Sequence, residues 1–135
     1  MPSRSSLAGV GLDLVSLPRI RKFLKTHPAA RVRRLLSPAE QKRYKKISPL
    51  VFARIFTAKE AFFKSLGASW FGLQGFASME VSILSKDHFQ IRIVDGPLVC
   101  HASEEAEGSF FEFKDHVGAQ VIRRGEEENG RRGEK

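Results

Sequence analysis

Residues 7–15 alternate apolar side chains with small or polar ones, a pattern typical of a β-strand. Val10, Leu12 and Leu14 fall on one face of this strand, and Gly9, Gly11 and Asp13 fall on the other. Ser16 can then cap a helix that has Pro18 in its first turn and ends before Pro28. The apolar residues predicted to face inward are Ile20, Phe23 and Leu24, and the basic residues predicted to face largely outward are Arg19, Arg21, Lys22 and Lys25.

Two further helices are predicted in the middle of the chain. A basic segment over 31–36 leads to Ser37, Pro38 and Glu40, which form a capping box that opens a short helix to about Ile47. The longest helical pattern runs over 50–66, after Pro49, and Gly67 ends it. Residues 68–77, rich in glycine and aromatics, are predicted to form a loop.

The second half of the chain contains strand patterns. Five are predicted, over 79–84, 89–94, 98–101, 109–114 and 117–123, with a turn at 95–97. Because the helices cluster before most of the strands, the order predicts an α+β fold. We expect one domain over 1–123 and a disordered charged tail over 124–135.

The composition favours a folded domain, because 41% of its 135 residues are hydrophobic and 11 of them are Phe. No apolar run approaches the roughly 18 residues that span a bilayer, so no membrane partner is expected. Asp13 interrupts the first apolar stretch, which argues against a signal peptide and for a cytoplasmic protein. The single cysteine, Cys100, fits a reducing compartment and is predicted to be a buried small hydrophobe.

The charge is unevenly distributed. Residues 1–64 carry 15 Lys and Arg against 3 Asp and Glu, whereas the remainder carries 8 against 12, which together give the net charge of +8. A basic half of this kind attracts anions and acidic partners. Charge alone leaves open whether the anion is a nucleic acid, a nucleotide, a membrane or an acidic protein.

Three charged residues stand where the pattern asks for apolar ones. Lys59 projects near the centre of the apolar stripe of the long helix, and Glu60 lies toward its flank beside Phe56. Burying either charge without a partner costs several kcal/mol. Lys59 could instead extend its amine to solvent and Glu60 could pair with Lys64, so both alternatives stay open.

Asp13 follows two glycines on its own face of the strand. Those glycines could leave space for a ligand or metal beside the carboxylate, although an Asp near a strand end often caps a turn. One carboxylate from a strand and one from a helix, with lysines nearby, can hold a divalent cation against phosphate oxygens. No Walker A loop and no G-x-G-x-x-G motif is present.

The residues over 9–15, followed by 18–20, resemble the opening of holo-acyl-carrier-protein synthases. The segment over 52–67 is similar to the signature helix of that family, 34–40 matches its intervening segment, and 119–122 resembles its last strand. The likeness covers about residues 7–123. It implies a 4′-phosphopantetheinyl transferase-like α+β fold, with an antiparallel sheet packed against a long central helix.

The resemblance also implies an activity, the transfer of phosphopantetheine from coenzyme A to a serine of an acidic acyl carrier protein, with release of 3′,5′-ADP. Asp13 and Glu60 would bind Mg2+, and Glu60 would act as the general base, either directly or through a metal-bound water. The family's usual form is a homotrimer with active sites between subunits. The remaining roles are implied for three sets of residues: catalysis by Lys59 and Lys64; coenzyme A binding by Lys59, Lys64, Arg54 and Gly67; carrier binding by Arg19 and Arg21.

The chain departs from the family at three places. Ile55 stands where the family usually has arginine, with Arg54 one residue earlier. Trp70 and Phe71 crowd a loop that is normally rich in glycine, and Glu112 replaces a histidine, where it would repel phosphate unless it is protonated or paired, for example with Lys114. These changes weaken the expected coenzyme A site more than the metal site.

Two alternatives follow. A relative that keeps the fold could bind a carrier or coenzyme A without transfer. The basic half could also bind nucleic acid, but Tyr44 is the only aromatic in its densest basic stretch and no recognition motif appears, so this alternative ranks third.

Overall fold

A computed structural model describes residues 6–67, 73–94 and 105–125 of the chain. The predicted turn at 95–97, the predicted strand at 98–101, Cys100, Trp70, Phe71 and the tail beyond residue 125 lie outside the described residues.

The described strands form one antiparallel sheet in the order β1-β5-β4-β3-β2. The strands are β1 (Ser6–Ser16), β2 (Met79–Ile83), β3 (His88–Ile93), β4 (Glu105–Phe113) and β5 (His116–Gly125). The first strand therefore lies at one edge and pairs with the last, with Asp13 opposite Ala119. This pairing brings the two ends of the described chain together.

The longest helix in the described residues, α4 (Pro49–Leu66), packs on one face of the sheet against β1 and β5. Four shorter helices are also described. The short helices are α1 (Leu17–Thr26), α2 (Ala29–Arg33), α3 (Pro38–Arg43) and α5 (Leu73–Ala77). The α+β fold with a sheet on a long central helix is thus confirmed. Among the described residues, no helix has both the length and the apolar character needed to span a membrane.

The helix boundaries follow local chemistry. The hydroxyls of Ser16, Ser37 and Ser48 accept hydrogen bonds from the first turns of α1, α3 and α4, and the predicted capping box at α3 is complete. Gly67 ends α4 in the left-handed conformation, at φ 66°, which glycine adopts without steric cost. The predicted helix after residue 37 ends earlier than expected, at Arg43, and the helices α2 and α5 were not predicted.

The sheet face that turns away from α4 carries exposed apolar side chains. We call this set the apolar sheet face: Val10, Leu12, Leu14, Phe111, Phe113 and Ile122, each between 38% and 61% exposed. Val10 lies directly opposite Ile122 in the β1–β5 pairing, so the patch is continuous across two strands. The apolar sheet face is therefore a candidate interaction surface.

Candidate active site

β1 and α4 approach each other at unusually short range, and two glycines allow it. A Cβ added to Gly9 would lie 1.9 Å from the carbonyl oxygen of Ser65, and one added to Gly11 would lie 1.7 Å from that of Ala61. The space that the sequence suggested for a ligand above these glycines is therefore filled by the backbone of α4. That expectation is corrected: the glycines bring the helix to the strand.

The next residue on the same face of β1 is Asp13, which consequently lies beside α4. Its Oδ1 accepts a hydrogen bond from Lys64 Nζ at 3.2 Å, and the same amine donates to the Leu12 carbonyl oxygen. Its Oδ2 is buried and has no hydrogen-bond partner in the described part of the chain. Burial raises the pKa of Asp13, and Lys64 opposes this effect.

Glu60 lies on α4 one turn before Lys64, and the negative charge of Asp13 repels its carboxylate. Burial, and after it the negative charge of Asp13, raise the pKa of Glu60, while Lys64 lowers it. The structure therefore brings Asp13, Glu60 and Lys64 into one cluster. Two partly buried carboxylates that repel each other and share one exposed lysine form a site that favours an added cation.

A divalent cation fits this cluster by its donor chemistry. The unpartnered Asp13 Oδ2 offers a hard oxygen ligand, and the mutual repulsion with Glu60 would be relieved by a positive charge between them. Within the described residues, no group of three or more His, Cys, Asp or Glu side chains could hold a metal. Two carboxylates suit Mg2+, which takes its other ligands from water and substrate phosphates.

Lys59 lies elsewhere, although it precedes Glu60 in the chain. Its side chain is 0% exposed, and its Nζ donates to the Leu35 carbonyl oxygen at 2.8 Å, to Glu40 Oε1 at 2.7 Å and to the Phe76 carbonyl oxygen at 2.8 Å. Burial lowers the pKa of Lys59, and Glu40 opposes this. An ammonium with all three hydrogens donated inside the protein has none left for a ligand. This placement contradicts the predicted phosphate contact and catalytic role of Lys59.

Glu40 is the residue that sequence reasoning missed. It was expected only as part of the capping box, yet it is 0% exposed and forms the buried ion pair with Lys59. The sequence contains two separate indications of this pair. Lys59 lies in the apolar stripe of the long helix, and Glu40 is a carboxylate in the short helix that packs near it. The sequence alone did not connect them, because the pair spans 19 residues.

Arg54 and Glu112, at two of the departures, are partners of each other. Arg54 Nη2 lies 3.1 Å from Glu112 Oε2, and the guanidinium lies over the Phe110 ring. Arg54 and not Lys114 is thus the counter-ion of Glu112. Arg54 stands six residues before Glu60, about 9 Å along the helix. The described contacts therefore do not bring Arg54 into the cluster of Asp13, Glu60 and Lys64.

The remaining predicted residues lie at the surface. Arg19 and Arg21 are exposed on α1, and Gly67 is exposed at the end of α4. Arg19 also lines a largely apolar cavity of about 530 Å3 between α1, α4 and the end of β1. The cavity is also lined by Leu14, which directly follows Asp13, and by Phe56, which lies one turn before Glu60.

The chain is similar to known proteins of one family. Residues 9–121 match the family model of the 4′-phosphopantetheinyl transferase superfamily. The chain is 41% identical over 130 residues to a holo-[acyl-carrier-protein] synthase of Trichlorobacter lovleyi, an alignment that covers 86% of this chain and 96% of the relative.

Solved structures show the same fold. The holo-[acyl-carrier-protein] synthase of Neisseria meningitidis superposes with a TM-score of 0.67 at 27% identity, over 89% of this chain and 99% of that one. The Helicobacter pylori enzyme, solved in complex with coenzyme A, superposes with a TM-score of 0.67 at 24% identity, over 84% and 98% of the two chains.

Proposed function

The chain belongs to the 4′-phosphopantetheinyl transferase superfamily, and from this premise we propose that it is a holo-acyl-carrier-protein synthase. It transfers the 4′-phosphopantetheine group of coenzyme A to a serine of an apo acyl carrier protein. The observation that carries the proposal is the cluster of Asp13, Glu60 and Lys64 on a chain that aligns with nearly the whole length of a synthase.

In the proposed reaction the serine hydroxyl oxygen attacks the β-phosphorus of coenzyme A. A serine–phosphorus bond forms, the bond from that phosphorus to the bridging oxygen breaks, and 3′,5′-ADP leaves with the bond electrons. Glu60 takes the serine proton, a role suited to a carboxylate whose pKa is raised by burial and by Asp13. The Lys64 side chain is 52% exposed, so its amine can contact phosphate oxygens from its place beside Asp13.

Asp13 and Glu60 would hold a Mg2+ ion at this cluster. A bound divalent cation supplies charge neutralisation for the diphosphate as the bond breaks. The support is the buried unpartnered Asp13 Oδ2 and the repulsion between the two carboxylates.

The exposed basic side chains of α1 would bind the carrier. Arg19 and Arg21 project from the helix whose first turn follows β1 and therefore Asp13. An acidic carrier docked there would present its serine to the carboxylate cluster. We place the reaction in the cytoplasm.

The apolar sheet face would be covered by further copies of the chain in a homotrimer. Six apolar side chains, exposed on the face opposite α4, are costly to leave in water, and a symmetric assembly would bury them. Sedimentation of the purified protein should then give a mass three times that of one chain.

A mass measurement tests the transfer. Purified protein, Mg2+ and coenzyme A should convert an apo carrier to a species that is heavier by one phosphopantetheine group. Asp13→Ala and Glu60→Ala should abolish the conversion, whereas Asp87→Ala, which removes an exposed carboxylate at the β2–β3 hairpin, should leave it unchanged. Full conversion by both site variants would reject the assigned site, and binding without a mass change would favour the non-catalytic alternative.

A further inference from the structure

Lys59 and Glu60 are neighbours in the chain and yet face different surroundings. Glu60 lies in the cluster with Asp13, and Lys59 is fully buried on the side of α4 that meets α3 and α5. Successive helical side chains point about 100° apart, so one rotation of α4 about its axis sets both environments. Whatever fixes Lys59 therefore also fixes Glu60.

The Lys59 ammonium is held from three directions. Its acceptors are the carbonyl oxygen of Leu35 before α3, the carboxylate of Glu40 in α3 and the carbonyl oxygen of Phe76 in α5. An ammonium has three donors, and each is used for a different segment of the chain. Because the partners belong to separate segments, the amine cannot move without breaking at least one of these bonds.

The carboxylate that receives Lys59 is itself fixed. Glu40 Oε1 also accepts from the Ser37 amide at 2.9 Å, and Oε2 accepts from the Val81 amide of β2. The Lys59–Glu40 pair, which anchors α4, is therefore hydrogen-bonded to the capping box of α3 and to β2 of the sheet. On its opposite side α4 meets β1 at Gly9 and Gly11.

We propose that Lys59, through its buried pair with Glu40, is a positioning residue that fixes the rotation of α4 and so the separation of the Glu60 and Asp13 carboxylates. The proposal rests on the proposed function, because that separation matters for a site that binds a divalent cation. A rotation of about 10° would move a group at the roughly 5–6 Å outer radius of the helix by about 1 Å. Displacements of about 1 Å can reduce a reaction rate by about 100-fold.

The test measures Mn2+ binding by electron paramagnetic resonance, with no coenzyme A or carrier present. Lys59→Met should raise the Mn2+ dissociation constant by about 10–100-fold, as expected when a group that orients a metal ligand is removed. Because Lys59→Met leaves Glu40 buried without its counter-ion, the double variant Glu40→Met/Lys59→Met is measured beside it. The double variant lacks the buried charge as well as the anchor, and it should show the same weakening.

Phe89→Leu is the matched control for lost stability alone. Phe89 is 0% exposed in β3 and lies opposite Ile83 and Gly108, neither of which contacts Lys59 or Glu40, so its truncation leaves a cavity away from the buried pair. This variant should melt at a lower temperature and still bind Mn2+ within about twofold of the wild type. Equal weakening in Phe89→Leu and in the Lys59 variants, or wild-type Mn2+ affinity in folded Glu40→Met/Lys59→Met, would overturn the proposal.

Crystal structures of the wild type and the double variant give a readout that needs no metal. The Glu60–Asp13 carboxylate separation should differ by about 1 Å or more between them. Should the wild type neither bind Mn2+ nor modify a carrier, the proposed function fails, and the carboxylate separation still decides the positioning role. An unchanged separation would refute it.

Discussion

The substitution Gly11→Ala should disrupt the carboxylate cluster by adding a single methyl group at a distance from it. The added Cβ would lie 1.7 Å from the Ala61 carbonyl oxygen and 2.6 Å from its carbon, and both atoms belong to the backbone of α4. Ordinary contact begins near 3.4 Å, so β1 and α4 have to separate by about 1.7 Å at this point. Overpacking of this kind costs about 1–3 kcal/mol or more of folding free energy.

The same separation moves Asp13 away from Glu60, because one residue lies on each of the two elements. A displacement above 1 Å should lower the transfer rate by about 100-fold, more than the loss of stability alone would do at a temperature where the variant stays folded. The assays are thermal unfolding, mass-detected carrier modification and Mn2+ binding.

Gly118→Ala is the matched control for the Gly11 substitution. The three atoms nearest to its added Cβ, at 2.3 Å to 2.9 Å, all belong to the Phe111 ring, a partly exposed side chain that can rotate away. Gly118→Ala should therefore keep the Mn2+ affinity of the wild type. If Gly11→Ala unfolds at the wild-type temperature and modifies the carrier at the wild-type rate, the close contact of β1 with α4 is refuted.

Glu60→Gln should abolish transfer. In metal-free buffer at neutral pH it should also raise the melting temperature, because it removes a partly buried charge that repels Asp13. A lower melting temperature would contradict this. The pKa values of Asp13 and Glu60 are both raised in the folded state, so the folded protein binds protons more tightly than the unfolded chain does. Without metal, the free energy of unfolding measured in urea should therefore fall as the pH rises from about 4 through the two folded-state pKa values. Saturating Mg2+ should remove much of that fall, and a stability that rises over the same range would disprove the assignment. Glu112→Gln should cost at most about 1 kcal/mol in urea unfolding, because its ion pair with Arg54 is partly exposed, and a much larger loss would show that the pair is structural. Leu12→Arg should dissociate the proposed homotrimer in sedimentation, and an unchanged mass would exclude the apolar sheet face as its interface.

Local chemistry made most of the helix and strand positions predictable. Serine caps, prolines in first turns and Gly67 set the limits of α1 and α4 within a residue or two. Alternation located β1, and it located the cores of β3 and β5. The helices α2 and α5 are only five residues each, too short for an apolar period to appear.

The carboxylate cluster was predictable only in part. A charged residue inside an apolar pattern marked Asp13, Lys59 and Glu60 alike, and such a mark does not say whether the partner is a ligand or another side chain. The partner of Lys59 proved to be Glu40, a contact across 19 residues that depends on how α3 packs on α4. The sequence likewise predicts free space above Gly9 and Gly11, because only the fold shows that the backbone of α4 lies there.

The pairing of β1 with β5 has a consequence for synthesis on the ribosome. Of the described strands, the one that carries Asp13 is translated first, and its only partner in the described sheet, β5, is translated last. A nascent chain that ends before residue 116 leaves β1 without backbone hydrogen bonds to a neighbouring strand, so the finished enzyme has to form by a late, long-range closure. Completion of the sheet should then wait for the synthesis of β5, and chaperones that bind extended apolar segments should find β1 accessible until β5 has emerged.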